Sequence, residues 1–294
     1  LTGVDDPGQR LVELRGLAEV HESGRGDTSS AFDTYRRALH EDAGDRTTLM
    51  DLERLAAALG RWGDLVKLLE DESANAGDPS VGKDLSVRAA QLAVEHLRDD
   101  ARATASYRRA LEQSGDDDTI LEPLDRIYTR NEQWTELADV LERRASVAGD
   151  PALLDQLEVR VAELRESRFR DPAGALNAYR SVLDRTPSHP QALAGLERLI
   201  QVAEVRADAL DTLEQSYQRN DDNARLAWLI ELRAQGADLA SDKVRLLGDL
   251  ARLREERLGD VAGAFDAMVA AFGLDPRDEQ VLGEIERLAP AAGT

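Results

Sequence analysis

The chain has no cysteine, which excludes disulfide frameworks, thiolate nucleophiles, iron–sulfur clusters and cysteine-ligated zinc. Aromatic residues make up only 4% and strand formers are sparse, which argues against a β-sandwich or barrel. Lysine is nearly missing, with Lys67, Lys83 and Lys243 the only three, and Lys plus Arg reach 37 against 58 for Asp plus Glu. The resulting charge of −21 would repel a phosphate backbone over most of the surface, so nucleic acid is not an expected partner. No apolar run approaches the roughly 18 residues that a membrane span needs, and the opening Leu-Thr-Gly-Val-Asp-Asp-Pro has no signal-peptide pattern. A membrane is therefore not an expected partner, and the cytoplasm is slightly favoured while the compartment stays undetermined. The chain opens without Met and stops at Ala-Ala-Gly-Thr, as a processed product or a piece of something longer would.

What is present is helical material. Across 294 residues, 42% are hydrophobic, mostly Leu and Ala, and 32% are charged, a mixture suited to helices with one solvated face. The sequence also repeats. AFDTYRRAL at 31–39 returns as ATASYRRAL at 103–111 and ALNAYRSVL at 175–183, so Tyr35, Tyr107 and Tyr179 are spaced by 72. Leu52-Glu53-Arg54-Leu55 returns as Leu124-Asp125-Arg126-Ile127, Leu196-Glu197-Arg198-Leu199 and Ile285-Glu286-Arg287-Leu288. The fourth copy, with Met268 in the tyrosine place, lies 17 residues late, and the expected insert is a helix over Asp222–Gly236, with Asp222 or Asn223 as N-cap, Gly236 as its stop, and Trp228 on it.

Within each 72-residue unit, apolar residues recur at three- and four-residue steps in four segments, separated by short polar turns. Each unit reads as two helical hairpins, giving about 16 helices. No hairpin buries its stripe alone, so the hairpins are expected to stack into one elongated all-α domain over 1–294, with units near 10–80, 81–150, 151–220 and 221–294. Ala31, Ala103, Ala175 and Ala264 are the expected points of close helix approach, and Tyr35, Tyr107 and Tyr179 the rings that pack there. The last unit ends after its third helix, which predicts an apolar stripe open to further chain, a partner or self-association.

These residues resemble the tetratricopeptide repeat (TPR) family, whose repeats of about 34 residues pair two antiparallel helices. Ala175, Tyr179, Val182 and Pro187 follow the order of small residue, aromatic, small residue and closing proline in the family's second helix, as do Ala264, Met268, Ala271 and Pro276. Gly60-Arg61-Trp62 with Leu65 and Leu69 resembles the family's Gly-x-aromatic opening, whereas Gly115 and Ala43 stand at two of the proline places. The resemblance implies a right-handed α-solenoid that binds a peptide or partner protein in a concave groove lined by the first helix of each repeat.

Reactive constellations are not evident. His21, His40, His96 and His189 fall in different hairpins without metal-ligand spacing, and no nucleophile elbow or phosphate-binding glycine loop is present, so no catalytic residue, cofactor or metal site is expected. Asp116-Asp117-Asp118 reads as a solvated turn with Asp118 capping a helix, and Arg25-Gly26-Asp27 as a turn ending in a cap at Asp27 or Thr28. The expected function is a non-catalytic protein-interaction scaffold, with the recognition arm of a larger enzyme or a secretion or motility machine as the alternative. Candidate partner-binding residues are Arg54, Arg126, Arg198 and Arg287, each two residues past a core Leu or Ile, together with Trp228. The arginines would grip an acidic tail in the groove bidentately, or tie neighbouring repeats through Glu53, Asp125, Glu197 and Glu286. A basic patch on a partner, docking on the acidic surface, is the other expected contact.

Overall fold

A computed structural model describes residues 6–293. The chain divides into two units, one ending at Pro151 and one starting at Ala152, a division that falls at the step from the second to the third 72-residue copy. Unit one holds α1 (Pro7–Glu19), α2 (Thr28–Glu41), α3 (Arg46–Leu59), α4 (Trp62–Asn75), α5 (Pro79–Leu92), α6 (Asp100–Ser114), α7 (Asp118–Arg130) and α8 (Trp134–Val147). Unit two holds α9 (Pro151–Leu164), α10 (Pro172–Arg185), α11 (Pro190–Leu199), α12 (Arg206–Arg219), α13 (Asn223–Gly236), α14 (Ala240–Leu253), α15 (Val261–Leu274) and α16 (Glu279–Ala292). The sixteen helices match the expected number, and the described residues contain no strand. Inside each unit consecutive helices pack on one another across turns of a few residues, which makes neighbours antiparallel hairpins.

One feature of the template was not legible as periodicity. The first helix of every copy ends in a wider, π-helical turn, at Val20–Gly24, Ala93–Leu97, Arg165–Phe169 and Arg254–Leu258. An aspartate at the matching place closes each turn: the backbone N–H of Asp27, Asp99, Asp171 and Asp260 reaches six residues back, to the carbonyls of His21, Ala93, Arg165 and Arg254, at 2.8–3.1 Å. The residue just before it adopts a left-handed conformation, which glycine takes without strain at Gly26 and Gly259 and which Arg98 and Arg170 also adopt. The same aspartates then cap the next helix, their carboxylates accepting from the N–H of Ser30, Arg102, Gly174 and Gly263. Asp27 is thus a cap, as expected for that turn. At the aspartate triplet the cap is Asp117 rather than Asp118: Asp117 is the extended residue, accepting from Thr119 N–H at 3.0 Å, while Asp118 already lies in the first helical turn.

The repeated alanines and rings form the core. Ala31, Ala103, Ala175 and Ala264 are fully buried, and Tyr35, Tyr107, Tyr179 and Met268 nearly so. Gly195 of α11 is a further point of close approach, since a Cβ there would lie 2.3 Å from Tyr179 Cζ. The inserted helix is present as α13 with Asp222 as N-cap, its carboxylate accepting from Arg225 N–H at 3.1 Å; Gly236 is its last helical residue, and the extended Ala237 stops it. Unit two consequently has two apolar clusters, one taking Leu226 and Leu229 from α13 and the other taking Ala227.

Candidate functional site

The four arginines share one position in the template and three of them share one arrangement. Arg54 on α3 forks onto Glu22, which sits in the π-helical turn after α1, with Nη2 to Oε2 at 2.8 Å, and also reaches Asp51 at 3.0 Å. Arg198 on α11 forks onto Glu166 in the turn after α9 at 2.9 and 2.8 Å, and Arg287 on α16 forks onto Glu255 in the turn after α14 at 2.7 and 2.6 Å. The π-helical turn therefore brings a glutamate to the arginine of the next hairpin. Arg126 on α7 differs, because the corresponding residue after α5 is Val94, and the guanidinium pairs with Glu122 one turn back on its own helix. It is the most exposed of the four, at 77% against 51–53% for the others.

Three of the four expected repeat-tying carboxylates are used elsewhere. Glu53 receives Arg88 at 2.5 and 2.6 Å, Glu197 receives Tyr217 Oη at 2.7 Å and also Arg225, and Asp125 receives Arg144 at 2.5 Å. Adjacent residues of a helix point about 100° apart, so the carboxylate and the arginine of one tag face different neighbours. The forks hold the charges firmly. Hydrogen bonds from Arg54 pull the Glu22 carboxyl below the usual range, and Arg198 does the same to Glu166. Burial and the adjoining Glu166 charge push Tyr179 well up; its hydroxyl donates to Glu166 at 3.0 Å.

Unit two also contains a concavity of about 960 Å³ between α14 and α16, with Met268 and Leu274 of α15 among its lining residues. Arg287, Glu255 and Glu284 line it, so one of the sequence-selected arginines borders a cavity. Two of its other lining residues are glycines, Gly248 and Gly283, and a Cβ on either would meet nothing within 4 Å. Trp228 lies apart from these lining residues, on α13, and is 40% exposed. Of α16's apolar residues, Leu282 is exposed while Val281 and Leu288 are buried.

The histidines serve separately. His96 stacks on Trp62 with ring centroids 3.7 Å apart, His40 Nδ1 lies 3.0 Å from Glu72, and His189 caps α11. Among the described residues no group of three or more His, Asp or Glu side chains is placed to hold a metal ion, and no helix is long and apolar enough to cross a membrane. What the sequence reading missed is the glutamate half of each fork. Glu22, Glu166 and Glu255 keep the same spacing as their arginines, so the signal was present but lay in a turn without apolar periodicity.

No family model matches the chain, and no curated protein matches it. Similar solved structures are TPR proteins. A tetratricopeptide repeat protein from Parabacteroides merdae is 14% identical, with 95% of this chain and 98% of that chain covered at a TM-score of 0.36. The TPR2AB domain of yeast Sti1, in its pHSP90 complex, is 16% identical, with 98% and 100% covered and a TM-score of 0.32. YrrB, a TPR protein with an unusual peptide-binding site, is 14% identical, with 69% and 91% covered and a TM-score of 0.26. Such overall superpositions are loose; the TPR-like character of the chain rests on its own repeated antiparallel hairpins.

Proposed function

We propose that the protein is a non-catalytic interaction scaffold that binds a peptide or a segment of a partner protein, and that the concavity between α14 and α16 is its principal site. The observation that carries this reading is the pair of helical glycines. A glycine inside a helix costs about 1 kcal/mol relative to alanine, and a Cβ on Gly248 or Gly283 would meet nothing within 4 Å, so the two together leave room on the cavity wall that a ligand can fill. Arg287 borders that space. Arg126, held only from its own helix, is the member of the arginine set most able to exchange its partner for a ligand carboxylate; Arg54 and Arg198 would each have to release a forked glutamate. Trp228 supplies a further half-exposed aromatic contact in unit two.

Selection from an unbiased displayed-peptide library on the full chain tests the reading. Peptides should be recovered that lose binding to the Gly248→Leu, Gly283→Leu double variant, which fills the cavity with residues of good helix propensity. Recovery of only those peptides that bind both proteins equally would contradict it.

A further inference from the structure

The same cavity has a chemical character that names its occupant, and this step rests on the scaffold reading above. Seven of the lining residues are carboxylates and three are arginines. Those three are already answered from the same walls: Arg287 by Glu255 and Glu284 at 2.6 and 2.8 Å, and Arg245 and Arg252 more loosely by Asp249 at 3.6 and 4.0 Å. Glu256, Asp275 and Glu279 then carry surplus negative charge around the opening, in a chain whose net charge is already −21. A concave surface with low-dielectric walls concentrates that field.

The lining also has an apolar part, with Met268, Val281 and Leu288 buried, Val244 half-buried and Leu274 exposed. Methionine adapts to varied apolar shapes, and a volume near the top of the usual ligand-pocket range holds several side chains. The two glycines are peculiar to this copy of the template. Where the fourth copy has Gly248 the others have Arg15, Val87 and Val159, and where it has Gly283 they have Met50, Glu122 and Ala194. The space thus opens where the surrounding charge is negative.

The geometry points to a cationic amphipathic segment of a partner protein as the occupant, with apolar side chains seated over Met268 and between the two glycines, and Lys or Arg side chains against Glu256, Asp275 and Glu279. Attraction between the two faces steers encounter, and the apolar anchors hold the complex.

Fluorescence anisotropy on the full chain tests this with three labelled peptides of about 14 residues. One is a Lys/Leu peptide with leucines at three- and four-residue steps, one a Glu/Leu peptide of the same spacing, and one a Lys/Ser peptide lacking apolar anchors. The Lys/Leu peptide should bind about tenfold tighter than either of the others, and should weaken severalfold as salt rises from about 50 to about 300 mM. It should also lose about tenfold on the Gly248→Leu, Gly283→Leu variant. A Glu256→Gln, Asp275→Asn, Glu279→Gln triple variant, which leaves the cavity's shape alone, should weaken it about fivefold, keeping the test decisive if the double variant misfolds. Tighter or equal binding of the Glu/Leu peptide, lost on filling the cavity, would overturn the cationic chemistry while leaving the scaffold reading intact. Lys/Leu binding unchanged by both variants would overturn the inference, by placing the contact on the general acidic surface.

Discussion

Unit one and unit two are built from one 72-residue template and use it differently. Unit one carries two complete copies, each of four helices with a single π-helical turn. It spends its variation on polar contacts: Val94 removes the glutamate that would hold Arg126, and Arg144 enters the interior to pair with Asp125, both side chains nearly buried. Unit two carries one complete copy, then the extra helix α13 and a three-helix copy, and it spends its variation on space. There α13 contributes to two apolar clusters and glycines open a cavity between α14 and α16. The contrast teaches that both units keep the template's buried alanine and capping-aspartate positions while other positions vary from copy to copy.

The largest effect that separates the units is expected at one equivalent position. Arg144→Ala in unit one should cost about 3–5 kcal/mol in denaturant unfolding, because it takes the cationic partner from the buried Asp125 carboxylate. Ser216→Ala, 72 residues on, should cost less than about 1 kcal/mol. Similar losses at the two sites would break the comparison.

Two glycines in unit two should respond with opposite signs. Gly195→Ala drives a methyl into the buried ring of Tyr179 and should lower stability by about 1–3 kcal/mol, whereas Gly283→Ala, facing open space, should raise it by about 0.5–1 kcal/mol. Thermal melting of both variants decides this, and a loss at Gly283 would mean that the helix, rather than a ligand, requires the glycine.

Acid sensitivity sharpens the account of the caps. The Lys83 ammonium, helped by Thr119, pulls the Asp117 carboxyl from 3.8 down to about 2. Because the folded value lies below the unfolded one, its contribution is complete above about pH 4 and disappears as pH falls towards about 2. The melting difference between wild type and Asp117→Asn should shrink across that window; a constant difference would contradict the pairing. The smallest effect is expected from Val94→Glu, which gives the second copy the fork that the other three copies have. It should add no more than about 0.5 kcal/mol and reduce the exposure of Arg126 to ligands, as binding assays with an acidic peptide would register.

Much of the fold was legible because it is written in periodic apolar residues: the 72-residue step, the helix count, the insert at α13 and the buried alanines and tyrosines all follow from it. The polar half of the design was less so. Arg54 and Arg198 were visible as a repeating tag, but the expected partners were the tag carboxylates of the neighbouring unit, whereas the helix directs the arginines to glutamates 32 residues earlier, in turns whose π-helical shape has no apolar signature. The cavity was hidden for a related reason. Gly248 and Gly283 are unremarkable singly and acquire meaning only when α14 and α16 bring both to one concave wall.

The central claim is that the cavity of the fourth copy is a partner-binding site, and amide chemical-shift mapping of the full chain during titration with the Lys/Leu peptide tests it most directly. The account predicts shifts concentrated on α14 and α16, including Gly248 and Gly283, with little change around Arg54. Shifts scattered over both units, or centred on unit one, would contradict it.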